Sequence, residues 1–340
     1  MKELKVLAVV VFFTLVTYWG VEPFAHSQMH KHVEFEGFKY DGKTDIEEVK
    51  AKIEKAKEEK QDTKDLEAKL KAKEKFWADV KKIESLKGDP KAGEALYGQC
   101  LGCHGDNVRE SMGASGVIPP KLDHAGKLYS KRYLIALIKD PAMASNVDHK
   151  YKDTSAHPMG AVKSMFTKDQ DIANIVAYLK AKKAGEVTPK EAFREACGRC
   201  HAMRYAKWTQ IGEVPKTKPN IKTHTDIEML KFKQKVAEQK EALAKYMGKL
   251  PPDLSIIVRA RSEHFLKTFV ENPQSQLPGT AMPRVGLNEE GYEKVYKYLE
   301  EVGDPSKPKR EATGPWVLGF FVIFSFLAYL WYKSQWEGLK

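Results

Sequence analysis

All four cysteines of this chain fall in two copies of one five-residue pattern, CLGCH at Cys100–His104 and CGRCH at Cys197–His201. Cys-x-x-Cys-His is the haem c attachment signature. Two thiols three residues apart reach the two vinyl groups of one porphyrin and form thioethers. The adjacent histidine then lies under the iron as its proximal axial ligand. A thiol redox pair, disulfides or an all-thiolate zinc site would also consume the cysteines. None of these explains the histidine after each pair, and the pairs lie 97 residues apart. The chain is therefore expected to carry two covalently attached haems c.

The ends of the chain add a second constraint. Residues 4–21, LKVLAVVVFFTLVTYWGV, are apolar apart from Lys5, and residues 315–332, PWVLGFFVIFSFLAYLWY, carry no charge. Each has about the length that a helix needs to cross the hydrocarbon core. Tyr18, Trp19, Trp316, Tyr329, Trp331 and Tyr332 sit near the segment ends, where interfacial rings belong. The first segment could instead be a cleaved signal, but the following VEPFAHSQMH lacks a clean small-x-small site. Two retained transmembrane helices are expected. Haem c is attached outside the cytoplasm in bacteria, so the expected topology is a two-pass inner-membrane protein. Its haem domains lie in the periplasm and both termini in the cytoplasm. Lys2 and Lys5 before the first span, and Lys333 and Lys340 after the second, agree with this.

The net charge of +11 carries no nucleic-acid signal, because no basic strip with interleaved aromatics is present and the chain is exported. Surface lysines would instead steer an acidic redox partner, or form an ordinary solvated surface.

Between the spans, residues 26–87 read as a polar connector and a charged helical spacer. The connector holds His26, His30 and His32, expected to form a charged collar touching a partner subunit, with a metal site or a third haem ligand set as the alternative. Residues 44–87 are dense in Lys and Glu, with Thr44 and Glu47 spaced as a capping box. The apolar positions are sparse, mainly Leu66, Leu70, Phe76, Trp77, Val80 and Ile83.

Residues 88–183 read as a first cytochrome c domain. A short helix over Lys91–Gln99 delivers Cys100, and a closing helix over 166–182 presents Ile172, Ile175, Val176 and Leu179 on one face. Met159, in AHPMGAV ahead of the closing helix, is the expected sixth ligand opposite His104. Pro158 restricts its loop, and a thioether raises haem potential relative to histidine. Met112, Met143, Met165, His124, His149 and His157 compete for the role. Residues 189–303 repeat the plan: an opening helix, the CGRCH site, and a closing helix over 289–303 with Tyr292, Val295, Tyr296 and Leu299 in register. Met282, in GTAMPRVGL, is the expected ligand opposite His201. The expected fold is mainly α, with two tandem class I-type cytochrome c domains between an N-terminal and a C-terminal transmembrane helix.

LPPDLSIIVRAR at 250–261 strongly resembles the corresponding segment of cytochrome c1, the haem subunit of the quinol–cytochrome c reductase (bc1) complex. CHAMRYAKW after the second site and PKREATGPWVLGF leading into the C-terminal span also resemble that family. The likeness covers about residues 189–340 and makes the second domain c1-like. It implies a proline pair at Pro251 and Pro252, a haem-propionate arginine at Arg261, and axial ligands His201 and Met282. Cytochrome c1 ordinarily has one haem and no N-terminal span, and its glycine pair after the arginines is replaced here by SEHF. The whole arrangement is similar to the dihaem cytochrome c subunit of bc1 complexes in Campylobacter-like bacteria.

That resemblance implies cytochrome b and a Rieske iron–sulfur protein as partners, within a dimeric complex and commonly with menaquinol. The chain is then expected to make and break no substrate bonds. It would take electrons from the Rieske protein and pass them to a periplasmic cytochrome c or terminal oxidase. A dihaem subunit of a terminal oxidase is the alternative, but it leaves the c1-like segment unexplained. A dihaem peroxidase would need an open iron and a nearby carboxylate such as Glu110 or Glu213, and nothing in the sequence marks either. A haem sensor would need an output domain.

Overall fold

The computed structural model describes residues 2–25, 38–218 and 226–337. The histidines at 26, 30 and 32 lie outside the described residues. The protein is mainly helical. Among the described residues the strands are confined to one two-stranded hairpin, β1 (Trp208–Thr209) against β2 (Gly212–Glu213).

Both termini are apolar helices. The first, α1 (Lys2–Leu15), continues through a π-helical turn at Val16–Val21, so an unbroken span runs over Leu4–Ala25. The Thr14 and Thr17 hydroxyls donate back to the carbonyls of Val10 and Phe13 at 2.8 Å, so neither is left unsatisfied. The last long helix covers Lys307–Trp336 and so begins eight residues before the apolar stretch, with Pro308 in its first turn, where proline is tolerated. Both are long and apolar enough to cross a membrane, and no residue of either apolar window is buried. These two candidate transmembrane helices mark a membrane protein.

By internal packing the chain forms two compact units. Unit 1 comprises Met1–Ser115, Pro119–Val187 and His264–Glu293, and unit 2 comprises Gly116–Ile118, Thr188–Glu263 and Lys294–Lys340. This grouping differs from the tandem segments that the sequence suggests, and the reason lies inside unit 1.

Unit 1 is centred on α4 (Pro90–Tyr97) packed against α6 (Asp169–Ala181), with α2 (Lys43–Glu58), α3 (Lys64–Ser85) and α5 (Lys131–Lys139) around them. Asp89 caps α4 by accepting the Lys91 N–H at 2.9 Å, and Pro90 supplies the first-turn φ. The helices approach so closely at Gly93 that a Cβ there would lie 2.0 Å from the Asn174 carbonyl oxygen. Ile172, Ile175, Val176 and Leu179 are buried on the face that their spacing anticipates.

The α2–α3 pair is not a solvated spacer. Val49, Ile53 and Ala56 on α2, and Phe76, Trp77, Val80 and Ile83 on α3, are all buried in unit 1. The capping box expected at Thr44 is also not formed. The helix starts at Lys43 and is capped by Gly42 in the left-handed region (φ 82°), with the Trp77 ring 2.1 Å from where a Cβ would be.

One buried ion pair draws the distant segment 264–293 into this unit. Arg284 is 1% exposed, and its guanidinium donates to both Asp45 oxygens (Nη2–Oδ1 2.5 Å, Nη1–Oδ2 3.2 Å). It also donates to Asn272 Oδ1 and the Glu271 carbonyl, and it lies 4.6 Å from the Phe38 ring centroid. Trp77 Nε1 donates to the same carboxylate at 3.1 Å. Around the pair, backbone bonds run from Arg284 N to Ser145 O, Ser130 N to Gly286 O and Asn288 N to Leu128 O. Residues that the sequence assigns to a second cytochrome domain are therefore built into the first unit.

Unit 2 contains α7 (Pro189–Ala196), the β1–β2 hairpin, α8 (Ile227–Met247), the C-terminal two-thirds of α10 (Glu289–Gly303) and α11 (Lys307–Trp336). The helix α9 (Glu263–Glu271) belongs almost wholly to unit 1. A capping box between Thr188 and Glu191 starts α7. Buried Phe193 on α7 packs on Tyr298 of α10 with ring centroids 5.1 Å apart. Buried Asp304 joins α10 to α11: Arg310 pairs with both its oxygens (2.7 and 2.5 Å), and Arg259 Nη2 lies 3.0 Å away.

Burial alone would raise the Asp45 carboxyl, but the Arg284 charge and hydrogen bonds outweigh it and hold the group below its ordinary value. Its contribution to stability is therefore present above the ordinary carboxylate range and lost as pH falls through the depressed value. Arg284→Met is expected to cost about 3–5 kcal/mol, because it leaves a buried carboxylate unpaired. Urea denaturation of the detergent-solubilised protein measures this, and replacing Asp45 and Arg284 together by apolar residues should cost less than either single change.

Candidate haem sites

The two Cys-x-x-Cys-His segments adopt the same turn. In the first, the N–H groups of Cys103 and His104 both return to the Cys100 carbonyl (3.2 and 2.9 Å). In the second, those of Cys200 and His201 return to the Cys197 carbonyl (3.1 and 3.0 Å). Each turn follows a helix, α4 or α7, that ends as it reaches the first cysteine. The four cysteines form no disulfide. Burial raises the Cys100 thiol above its ordinary value, and burial, with Cys200 beside it, pushes Cys197 up to about 12. Reactive or zinc-binding cysteines need the opposite shift, so Cys100 and Cys197 suit a covalent tether better than a redox pair.

The histidines carry the clearest geometric signal. His104 Nδ1 lies 2.8 Å from the Pro120 carbonyl oxygen, and His201 Nδ1 lies 2.8 Å from the Pro252 carbonyl oxygen. A carbonyl can only accept, so in each ring Nδ1 carries a proton, and in the neutral ring Nε2 keeps its lone pair. That is the arrangement by which a protein orients an imidazole as a metal ligand. Burial lowers the His201 pKa, opposed by the Pro252 hydrogen bond and by Asp253, and so favours the neutral ring that a metal needs. The Pro252 loop is itself held, since Asp253 accepts the backbone N–H groups of Arg204 and Ser255 (3.0 and 2.9 Å) and Leu254 N donates to Ala202 O (2.9 Å).

Sequence reasoning found Pro252 through a family resemblance but missed Pro120. The signal was present: IPPKL at 118–122 repeats LPPDL at 250–254, and the second proline of each accepts the histidine bond.

Both candidate methionines are half-buried and share a local device. The Met159 N–H donates to His157 Nδ1 (3.1 Å), and the Met282 N–H donates to Thr280 Oγ1 (3.2 Å). In each case the side chain two residues earlier fixes the methionine backbone. His157 is thereby a positioning group for Met159, its ring 5.6 Å from that of Tyr151 and its pKa lowered by burial to about 4. Among the other competitors, Met112 and Met165 are exposed. Met159 falls in unit 1 with His104, whereas Met282 falls in unit 1 and His201 in unit 2.

Arg261 is exposed, with Nη1 on the Ala260 carbonyl at 3.3 Å, and Arg259 is engaged by Asp304. A different arginine has shielded, unsatisfied nitrogens: Arg109 Nε and Nη1 have no hydrogen-bond partner. In unit 2, Gln210 Oε1 is likewise buried and unpartnered, while its Nε2 donates to the Cys200 carbonyl at 3.4 Å. The oriented imidazoles and, in unit 1, the unsatisfied cation fit a haem.

Residues 90–183 match the family model for cytochrome c. The protein thus contains a cytochrome c domain, which implies covalently bound haem c, and CLGCH is the Cys-x-x-Cys-His segment inside the matched range. Over a 190-residue alignment the chain is 23% identical to the ammonia monooxygenase gamma subunit of Nitrosomonas europaea, covering 44% of this chain and 81% of that protein. It is also similar to a chain of a hyperthermophilic respiratory complex III, 24% identical, over 46% of this chain and 79% of that one, with a TM-score of 0.33.

Asp253→Ala removes two hydrogen bonds to a charged acceptor and should destabilise unit 2 by about 2–4 kcal/mol. It should also lower the haem retained on a fragment containing Cys197–His201, read by in-gel haem staining, while a fragment containing Cys100–His104 stains as before.

Proposed function

We propose that this protein is the membrane-anchored dihaem electron-transfer subunit of a bc1-type quinol:cytochrome c oxidoreductase, of the kind found in Campylobacter-like bacteria. It takes electrons from a Rieske iron–sulfur subunit beside cytochrome b. It passes them to a periplasmic cytochrome c or terminal oxidase. The observation that carries the dihaem reading is the matched geometry of the two sites, each with its histidine Nδ1 held by a proline carbonyl at 2.8 Å. The cytochrome c match covers one site, and the c1-like segment 250–261 beside the other supports the bc1 assignment.

Haem, when bound, supplies a one-electron ferric–ferrous couple. The residues do the rest. Cys100 and Cys103 tether one group, and Cys197 and Cys200 the other. His104 and His201 offer Nε2 to iron, and Met159 and Met282 offer the opposite sulfurs. Those four side chains would hold the two irons, and a site so held would offer no position for oxygen or peroxide. Arg261 remains the proposed propionate partner at the second site. In this topology the haem-bearing middle is periplasmic and both termini are cytoplasmic.

Purified protein should hold two haems c per chain by the pyridine haemochrome assay, falling to one when Cys197 and Cys200 are replaced by Ser. A value of one in the unsubstituted protein would remove the dihaem reading. Near-infrared spectra of the oxidised protein should show sulfur-to-iron absorption for two sites, with Met159→Leu and Met282→Leu each removing one share.

The c1-like segment marks the Cys197–His201 site as the receiving end. Replacing Cys100 and Cys103 by Ser should then leave quinol-driven reduction at the second site fast, while transfer to the downstream acceptor slows. Loss of quinol-driven reduction in that variant, with cytochrome b still associated, would reverse the order.

A further inference from the structure

We propose that Arg109 binds a propionate of the haem attached at Cys100 and Cys103, an inference that rests on the haem reading of that site. Among the described residues, Arg109 is the arginine whose shielded guanidinium nitrogens, Nε and Nη1, lack any hydrogen-bond acceptor. The contrast with Arg284 is direct. That guanidinium is also buried, and the chain supplies a carboxylate, an amide oxygen and a backbone carbonyl for it. For Arg109 the chain supplies none.

The surroundings show why. Arg109 opens a helical turn, Arg109–Met112, whose first amide bonds to the carbonyl of Gly105 at 3.0 Å, and Gly105 directly follows His104. The nearby carboxylate Asp106 is already taken by Lys121 at 2.7 Å, and Lys121 follows Pro120, the acceptor of the His104 bond. Glu110 is exposed. The turn bearing Arg109 is therefore bonded directly to the residue that follows His104, and Asp106, just before that turn, is bonded to the residue that follows Pro120, while the shielded Arg109 nitrogens have no acceptor.

A shielded charge without a partner is among the costliest features a fold can hold. A haem anchored by the adjacent cysteines brings two carboxylates of its own. A guanidinium fork matches a carboxylate bidentately and keeps its charge at any accessible pH. Arg109 would thus neutralise a propionate and, as a fixed positive charge near the iron, favour the ferrous state.

The test uses the full-length, haem-loaded protein. In Arg109→Gln, the haem on Cys100 and Cys103 should remain covalently attached, and its reduction equilibrium should shift about tenfold toward the oxidised form, about 59 mV for one electron. Arg109→Lys keeps the charge but not the fork and should recover part of the shift. The potential of the haem on Cys197 and Cys200 should not move. An attached haem with unchanged potential in both variants would overturn the proposal. Absence of haem on Cys100 and Cys103 in the unsubstituted protein would instead sink the cofactor reading beneath it. A structure of the haem-loaded, unsubstituted chain decides the matter should the variants not accumulate. An Arg109 nitrogen about 3 Å from a propionate oxygen supports the assignment, and a guanidinium bonded only to protein or solvent overturns it.

Discussion

A histidine that is to give one ring nitrogen to a metal must commit the other, or its ring turns and its tautomer drifts. Much of the local structure around both Cys-x-x-Cys-His turns holds that second nitrogen. At each site a double proline stiffens a loop so that one carbonyl stands 2.8 Å from Nδ1. At the second site Asp253 then fixes the loop to the backbone of Arg204 and Ser255. The acceptor is a backbone group in both sites, so it does not itself change protonation state.

Much of this was legible in the sequence, because the chemistry is local. Cysteine spacing, the histidine that follows, and two charge-poor ends each declare themselves within about twenty residues. The apolar faces of α4 and α6 are equally local. What could not be read was anything decided over long separations. Asp45 and Arg284 lie 239 residues apart, and neither is an unusual residue in its own segment. Only their meeting in a dry interior, with Trp77 and Asn272 completing the hydrogen bonds, shows why His264–Glu293 groups with unit 1. The packing of α2 and α3 was hidden for the same cause, since a Lys- and Glu-rich helix can bury a narrow stripe while looking solvated in composition.

The capping error at Thr44 teaches a smaller point. A side-chain capping pattern was present, but Gly42 could take a left-handed turn beneath the Trp77 ring, and tertiary packing chose the earlier start. Pro120 was missed for the opposite reason. Its signal was a short internal repeat, visible once Pro252 was recognised as a hydrogen-bond acceptor rather than as a family mark.

Asp304 has a mechanical meaning. One buried carboxylate is gripped from the membrane helix by Arg310 and from the turn just past the histidine-orienting loop by Arg259. The helix continues from that grip through Trp336, with Pro315 inside it. An anchor joined in this way is a mast rather than a mooring line. The ion pairs tie the fold of unit 2 to its own apolar helix through side chains rather than through a bare linker.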